Sequence, residues 1–220
     1  MASKSGPDII EDGLVLCLDA ASKRSYLGTG TTWTDLKGVN NGTLTNGPTF
    51  SNDNGGSVVF DGSNDRVDLS LPYNFTAFSV FFFVKYRSPQ GNWRMVFDTY
   101  KNGDQHKFSF QSSTNSSNNV YLFHQDGNTV VDNTISIDQW MYYGATWDGS
   151  TVTTYKNGTS VTTDSSSTGF NLSNTIGIGD RYGGGSYSNN IVLSSITAYN
   201  RALTADEIRR NYLSTKERFA

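Results

Sequence analysis

Residues 140–158 read Trp-Met-Tyr-Tyr-Gly-Ala-Thr-Trp-Asp-Gly-Ser-Thr-Val-Thr-Thr-Tyr-Lys-Asn-Gly. Two runs of β-branched and aromatic residues are broken by Asp148-Gly149 and closed by Asn157-Gly158. Both dipeptides supply the positive φ angles that tight hairpin turns require. The stretch therefore predicts three consecutive antiparallel strands, the last over residues 159–163. Side chains alternate along a strand, which puts Met141, Tyr143, Ala145 and Trp147 on one face. A two-residue Asp-Gly turn sets Trp147 opposite Ser150, and a three-residue turn sets it opposite Thr151. The dipeptide is compatible with both registers.

The remaining composition extends this meander rather than opposing it. The 220 residues suffice for one large β-domain with a sizeable core. Only 35% are hydrophobic, and Gly, Ser, Thr and Asn abound, a mix that suits short strands joined by polar turns and not helices. A net charge of −3 argues against nucleic-acid binding, which calls for clustered Lys and Arg. The single cysteine, Cys17, lies in Leu14-Val-Leu-Cys-Leu18 and reads as a buried apolar thiol. With no intrachain disulfide available, folding in a reducing cytosol is expected. No run approaches the roughly 18 apolar residues of a membrane span, and the polar N-terminus lacks the apolar centre of a signal peptide. The glycosylation patterns at Asn41, Asn74, Asn115, Asn157 and Asn171 are accordingly read as chance in an Asn/Ser/Thr-rich chain.

In chain order, residues 1–10 form a polar arm and 13–19 a first strand, whose unbroken apolar run implies burial on both faces or pairing with the last strand. Residues 20–42 are turn-rich, with Trp33 as an anchor, and a short strand starts near residue 40. Val58-Val-Phe-Asp-Gly-Ser-Asn-Asp-Arg-Val67 reads as strand, tight hairpin turn, strand. Residues 75–86 hold the densest apolar run, with aromatics on both faces, and belong at the centre of a sandwich. Further strands are expected over 95–99, 107–111, 120–125, 175–179 and 191–199. Polar loops over 112–119 and 180–190 separate some of them. One helix is predicted, opened by the capping box Thr204-Ala-Asp-Glu207, with Leu203 and Ile208 as its hydrophobic staple. The sum is an all-β sandwich of two antiparallel sheets with one short C-terminal helix, occupying residues 11–213, followed by a tail over 214–220.

Gly13-Leu-Val, Asn41-Gly-Thr-Leu44, Val59 to Val67, Trp140 to Gly149, Tyr155-Lys-Asn-Gly158, Ile176-Gly-Ile-Gly179 and Tyr199-Asn-Arg-Ala-Leu203 with Glu207-Ile208 occur in that order. Together they resemble the laminin-G-like branch of the concanavalin A-like lectin/glucanase superfamily. The resemblance implies a jelly-roll sandwich of two curved sheets. The chain departs from the pattern at Asn190-Ile-Val-Leu-Ser194, where family members carry a Gly and an acidic residue entering the final strand. Gly13 to Ala20 and Asn211 to Phe219 also look like virion structural proteins of tailed bacteriophages, notably those infecting cyanobacteria.

Glycoside hydrolases of this superfamily place paired acids on one strand, in a Glu-x-Asp-x-Glu pattern. Here the glutamates are Glu11, Glu207 and Glu217, in the arm, the helix cap and the tail. No strand carries acids at alternate positions, and His106 and His124 have no nucleophile motif beside them, so catalysis is not expected. Sugar binding uses exposed aromatics with amides at a loop rim; the candidates are Trp93, Tyr100, Asn102, Tyr182 and Tyr187, each weighed against simple packing on the sheet end. No cofactor is required, and calcium is the one metal considered. Calcium-binding relatives place an acidic ligand between the strands where Asp98 to Asp104 falls, which points to Asp104, with Asp180 from the facing loop. Asp61-Gly-Ser-Asn-Asp65 is better read as a hairpin turn than as a calcium loop. The functional expectation is a non-catalytic virion structural protein, a head decoration, tail or fibre component, assembled in the bacterial cytoplasm. Its partners would be other virion proteins and host-surface carbohydrate, with neither nucleic acid nor membrane insertion involved. The alternative is a secreted or cell-surface carbohydrate-binding module or adhesin.

Overall fold

A computed structural model describes residues 8–71, 75–88, 91–99, 108–113, 119–124, 127–166 and 175–219. In chain order its strands are β1 (Leu14–Asp19), β2 (Thr32–Trp33), β3 (Gly42–Thr45), β4 (Thr49–Ser51), β5 (Ser57–Val59), β6 (Arg66–Leu69), β7 (Phe78–Tyr86), β8 (Arg94–Asp98), β9 (Phe108–Ser113), β10 (Asn119–His124), β11 (Gly127–Asp132), β12 (Trp140–Trp147), β13 (Thr151–Lys156), β14 (Thr159–Ser165), β15 (Ile176–Ile178) and β16 (Ile191–Tyr199). The helix α1 is Ala205–Thr215. The strands form two eight-stranded antiparallel sheets. The first runs β14-β13-β12-β7-β16-β5-β4, with β1 beside β5 along the same edge of β16, and the second runs β11-β10-β9-β8-β15-β6-β3-β2. They pack face to face as a jelly-roll sandwich. Among the described residues no helix is long and apolar enough to cross a membrane.

The doubly apolar run of β7 is explained by its neighbours. It lies between β12 and β16. Its Phe78, Val80, Phe82 and Val84 enter the core between the sheets. Phe81 and Phe83 point the other way, into a second apolar layer with Tyr142, Tyr155, Leu203 and Ile208 beneath α1. Gly144 on β12 lies opposite Phe81, and a Cβ there would collide with the Phe81 ring. The strand is thus central, and the helix is what covers its outer face. Trp33 is fully buried, β1 pairs with β16, and Met141, Tyr143, Ala145 and Trp147 share the core face, all as expected.

The Asn157-Gly158 turn is the tight hairpin expected, two residues long, with Lys156 facing Thr159 and both central residues at positive φ. At Asp148-Gly149, however, Trp147 pairs with Val152, so four residues form the loop and neither expected register holds. The Asp148 carboxylate is the cause: it accepts from the amides of Ser150 and Thr151, both at 2.9 Å, and from the Ser150 hydroxyl at 3.0 Å, drawing Ser150 and Thr151 into the loop. The Asp61–Asp65 turn is not a hairpin. β5 belongs to the first sheet and β6 to the second, so the turn carries the chain across the edge of the sandwich. It is held by Asp65, which accepts from the Asp61 amide at 3.0 Å, while the preceding Phe60 is buried between the sheets. Finally, β2, β4 and β11 were not expected as strands, and β9 runs on to Ser113, into the expected loop.

Beyond the strands, Ile9 and Ile10 pack on the second apolar layer, and so does Phe219.

Candidate functional site

Ile176 and Ile178 of β15 point into the core, so Gly177 between them faces the outer surface of the second sheet. It stands opposite Asp68 on β6 and opposite Asp98 on β8. The three residues make a row, two carboxylates flanking a position without a side chain. That gap is filled by the chain itself. After Ile178 the backbone folds back over the sheet, and a Cβ at Gly177 would collide with the Asp180 carbonyl and the Tyr182 amide.

The returning loop is held from both sides. The Gly183 amide donates to Asp68 Oδ1 at 3.2 Å, and Arg181 Nε lies 3.9 Å from Asp98 Oδ2. The Arg181 guanidinium also stacks on the Tyr187 ring, 3.7 Å from its centroid. Within the loop, the Asp180 carboxylate, 1% exposed, accepts from the amides of Arg181 (2.7 Å) and Gly185 (3.3 Å) and from the Ser188 hydroxyl (2.7 Å). Arg94 Nη1 donates to the Ser186 carbonyl at 2.8 Å, and Asn189 Nδ2 donates to the Arg94 carbonyl at 3.2 Å. The loop is thus tied to itself and to the sheet beneath it, a scaffold of the kind that positions binding loops.

What remains on the surface is the aromatic edge of this loop. Tyr182 is 41% exposed and forms one wall of a groove of about 280 Å³. The other walls include Val39, Asn41, Thr43, Asp68 and Ser70. Asn41 Oδ1 accepts from the Asp35 amide at 2.9 Å, which leaves its NH₂ end as the outward donor. Asp68 is paired with Arg66, Nε to Oδ2 2.8 Å.

The sequence candidates separate accordingly. Tyr182 lines the groove. Tyr187 is committed to Arg181, and Asp180 organises the loop; an incoming cation would have to displace the three donors that its oxygens accept from. Trp93 is exposed and held at φ 60°, a strained value for a tryptophan. It precedes β8, five residues and roughly 16 Å along the strand from Asp98, away from the groove. Tyr100, Asn102 and Asp104 lie outside the described residues. Among the described residues no group of three or more His, Cys, Asp or Glu side chains is placed to hold a metal. Sequence reasoning missed Asp68, Asn41 and Val39. The usable signal was Ile176-Gly177-Ile178: a glycine on the outer face of a strand marks a close backbone approach.

Set beside known proteins, the chain matches the Laminin_G_3 family model, described as the concanavalin A-like lectin/glucanases superfamily, over residues 61–209. It belongs to that superfamily. No curated protein matches it by sequence. Among solved structures, the receptor-binding domain of botulinum neurotoxin D aligns with TM-score 0.72 and 13% identity, over 92% of this chain and 52% of that one. Trypanosoma rangeli sialidase in complex with sialic acid gives 0.69 and 14%, over 93% and 33%. Domain 4 of AbnA, an extracellular arabinanase from Geobacillus stearothermophilus, in complex with arabinotriose, gives 0.67 and 14%, over 92% and the whole of that domain. At identities this low it is the TM-scores that establish a likeness, and the likeness is one of fold alone. The chain spans about a third of the sialidase and about half of the toxin domain.

Proposed function

We propose that this chain is a non-catalytic, lectin-like module that holds carbohydrate in the groove walled by Tyr182. The observation that carries this reading is an exposed tyrosine ring set against amide and hydroxyl groups in one concavity. An aromatic face packs on the C–H face of a sugar while neutral polar groups take its hydroxyls. Two structural neighbours are described with sialic acid and with arabinotriose, which supports a carbohydrate ligand for a fold of this kind. Against catalysis, the groove walls hold one carboxylate, whereas retaining hydrolysis uses two about 5 Å apart. That carboxylate, Asp68, is already occupied by Arg66 and the Gly183 amide. Glu207 is held down to about 2 by Arg201, far below the range of a general acid. The test is affinity electrophoresis through soluble polysaccharides. Retardation lost in Tyr182→Ala, without release of reducing sugar, is the expected result. Sugar release abolished by a carboxylate substitution would make the chain an enzyme.

A particle-bound setting is the second reading: a head decoration, tail or fibre component of a tailed phage displaying this module to host-surface glycans. It is supported by the likeness of residues 13–20 and 211–219 to virion proteins. These stretches are joined in the fold, Arg218 bonding both carboxylate oxygens of Asp19 at 3.1 Å. Mass spectrometry of purified virions tests it. Detection as a stoichiometric component is expected, and absence would leave a secreted or cell-surface module.

A further inference from the structure

The groove's charge bears on which sugars it takes, an inference that rests on the glycan reading above. Of the side chains walling it, one is charged, and it is the carboxylate of Asp68. Two flanking arginines are committed elsewhere. Arg66 is bonded to Asp68 at 2.8 Å, and Arg181 is stacked on Tyr187 beside Asp98; neither lines the groove. The Gly183 amide, which could have received an anion, donates instead to Asp68. The remaining polar wall is neutral: the Asn41 NH₂ and the hydroxyls of Thr43 and Ser70. Its apolar part is the Tyr182 ring and Val39, which is 71% exposed.

We infer that the groove selects neutral sugars and rejects their sialylated or uronic-acid-bearing counterparts. A sugar carboxylate entering here meets a carboxylate already paired with Arg66 and, among the described residues lining the groove, no cation to replace its lost hydration. A neutral pyranose or furanose loses nothing of that kind. Its C–H face covers the exposed Tyr182 and Val39 surfaces, and its hydroxyls exchange with the Asn41 amide and the two wall hydroxyls. Selectivity then arises from an unfavourable element against the acidic ligand as much as from contacts to the neutral one.

The experiment is a glycan array probed with the full chain, each neutral glycan printed beside its sialylated or uronic-acid-bearing counterpart. Tyr182→Ala, a change at an exposed ring, is probed in parallel. The expected result is binding to neutral members at least about tenfold tighter than to their acidic partners, lost in Tyr182→Ala. Acidic members bound as tightly or more tightly, in a Tyr182-dependent way, would overturn this inference and leave the glycan-binding function standing. Binding that survives Tyr182→Ala would place the site elsewhere and overturn the inference together with the groove assignment. No binding to any member would overturn the glycan reading itself.

Discussion

Asp180 and Cys17 each show how burial fixes what a reactive-looking side chain can do. The Asp180 carboxylate accepts from three donors of its own loop. Hydrogen bonds to a charged group are each worth about 1.5–3 kcal/mol, partly offset by desolvation. Asp180→Ala should therefore lower stability by about 2–4 kcal/mol in urea melts. The loss should be the same with and without calcium, because the acceptor is occupied by the chain. A calcium-dependent part of the loss would return the ion to Asp180. Cys17 is pushed up to about 12, first by burial and then by Asp19 and Asp35. The thiolate is the nucleophile, so the native protein should resist iodoacetamide at pH 8 and react at once in denaturant. Rapid native labelling, followed by mass spectrometry, would show the first strand opening locally. The composition already favoured an inert thiol here. The role of Asp180 was not legible, because Asp-Gly spacing is the same whether a carboxylate faces an ion or its own loop amides.

The C-terminal helix is the element where local chemistry decides most. Thr204 Oγ1 accepts from the Glu207 amide at 3.3 Å, Glu207 Oε2 accepts from the Thr204 amide at 2.8 Å, and Arg201 grips Glu207 with both terminal nitrogens, at 2.6 and 2.8 Å. Thr204→Ala should cost about 1 kcal/mol. Ile208→Asp should cost about 3 kcal/mol or more, since it puts a charge into the apolar layer over Phe81 and Phe83. Melts in which neither change matters would detach the helix from the sandwich. Glu207 falls from 4.5 to about 2, chiefly through Arg201. A depressed folded value contributes stability above the unfolded value, and that contribution is lost as pH falls from 4.5 towards 2. The Glu207 side chain is 25% exposed and lies at the surface, where water screens the pair, so the acid slope is shallow, and Arg201→Ala should flatten it further. The cap was readable because its parts lie within four residues. So was the Asn157-Gly158 turn. The Asp148 loop was not, because a side-chain oxygen rather than a backbone preference sets its length. Nor was the Asp61 crossing. Its turn chemistry suits a hairpin equally well, and the choice is made at a distance, by β16 pairing with β5 and by β3 and β15 pairing with β6. β11 escaped notice because Gly127-Asn-Thr opens it without apolar alternation.

At the scale of the whole molecule, the two sheets present different outer faces, and the division of labour between them is testable. The outer face of the second sheet carries the row Asp68–Gly177–Asp98 and the groove. Tyr182 was legible as a candidate, but its partners Val39, Asn41 and Asp68 stand more than 110 residues earlier, and only the long-range register of β15 on β6 brings them together. The outer face of the first sheet is closed by the chain's last described turn, Lys216–Phe219. There Phe219 stacks on Phe83 at 4.3 Å and meets Trp140 at 4.7 Å between centroids. Arg218 bonds Asp19 and the Ser194 hydroxyl. Asn54 completes the ring, accepting from Trp140 Nε1 at 2.9 Å and donating to the Arg218 carbonyl at 2.8 Å. This clasp ties β1, β7, β12 and β16 to the turn at Asp53–Gly55. Each contact is half-buried, so Phe219→Ala or Arg218→Ala alone should cost about 1–2 kcal/mol. The two share partners, so the double change should cost less than the sum. Removing residues 216–220 should lower stability by about 2–4 kcal/mol, read as a fall in the urea midpoint, and leave the proposed glycan binding at Tyr182 unchanged, because the clasp and the groove lie on opposite outer faces of a packed sandwich. Melts and glycan titrations on the same truncated protein decide the matter. A shortened chain that stays folded at the assay temperature yet loses binding would mean that the faces are coupled, through the core or through the 39–41 wall, whose Asn40 donates to the Val15 carbonyl of β1 at 3.2 Å.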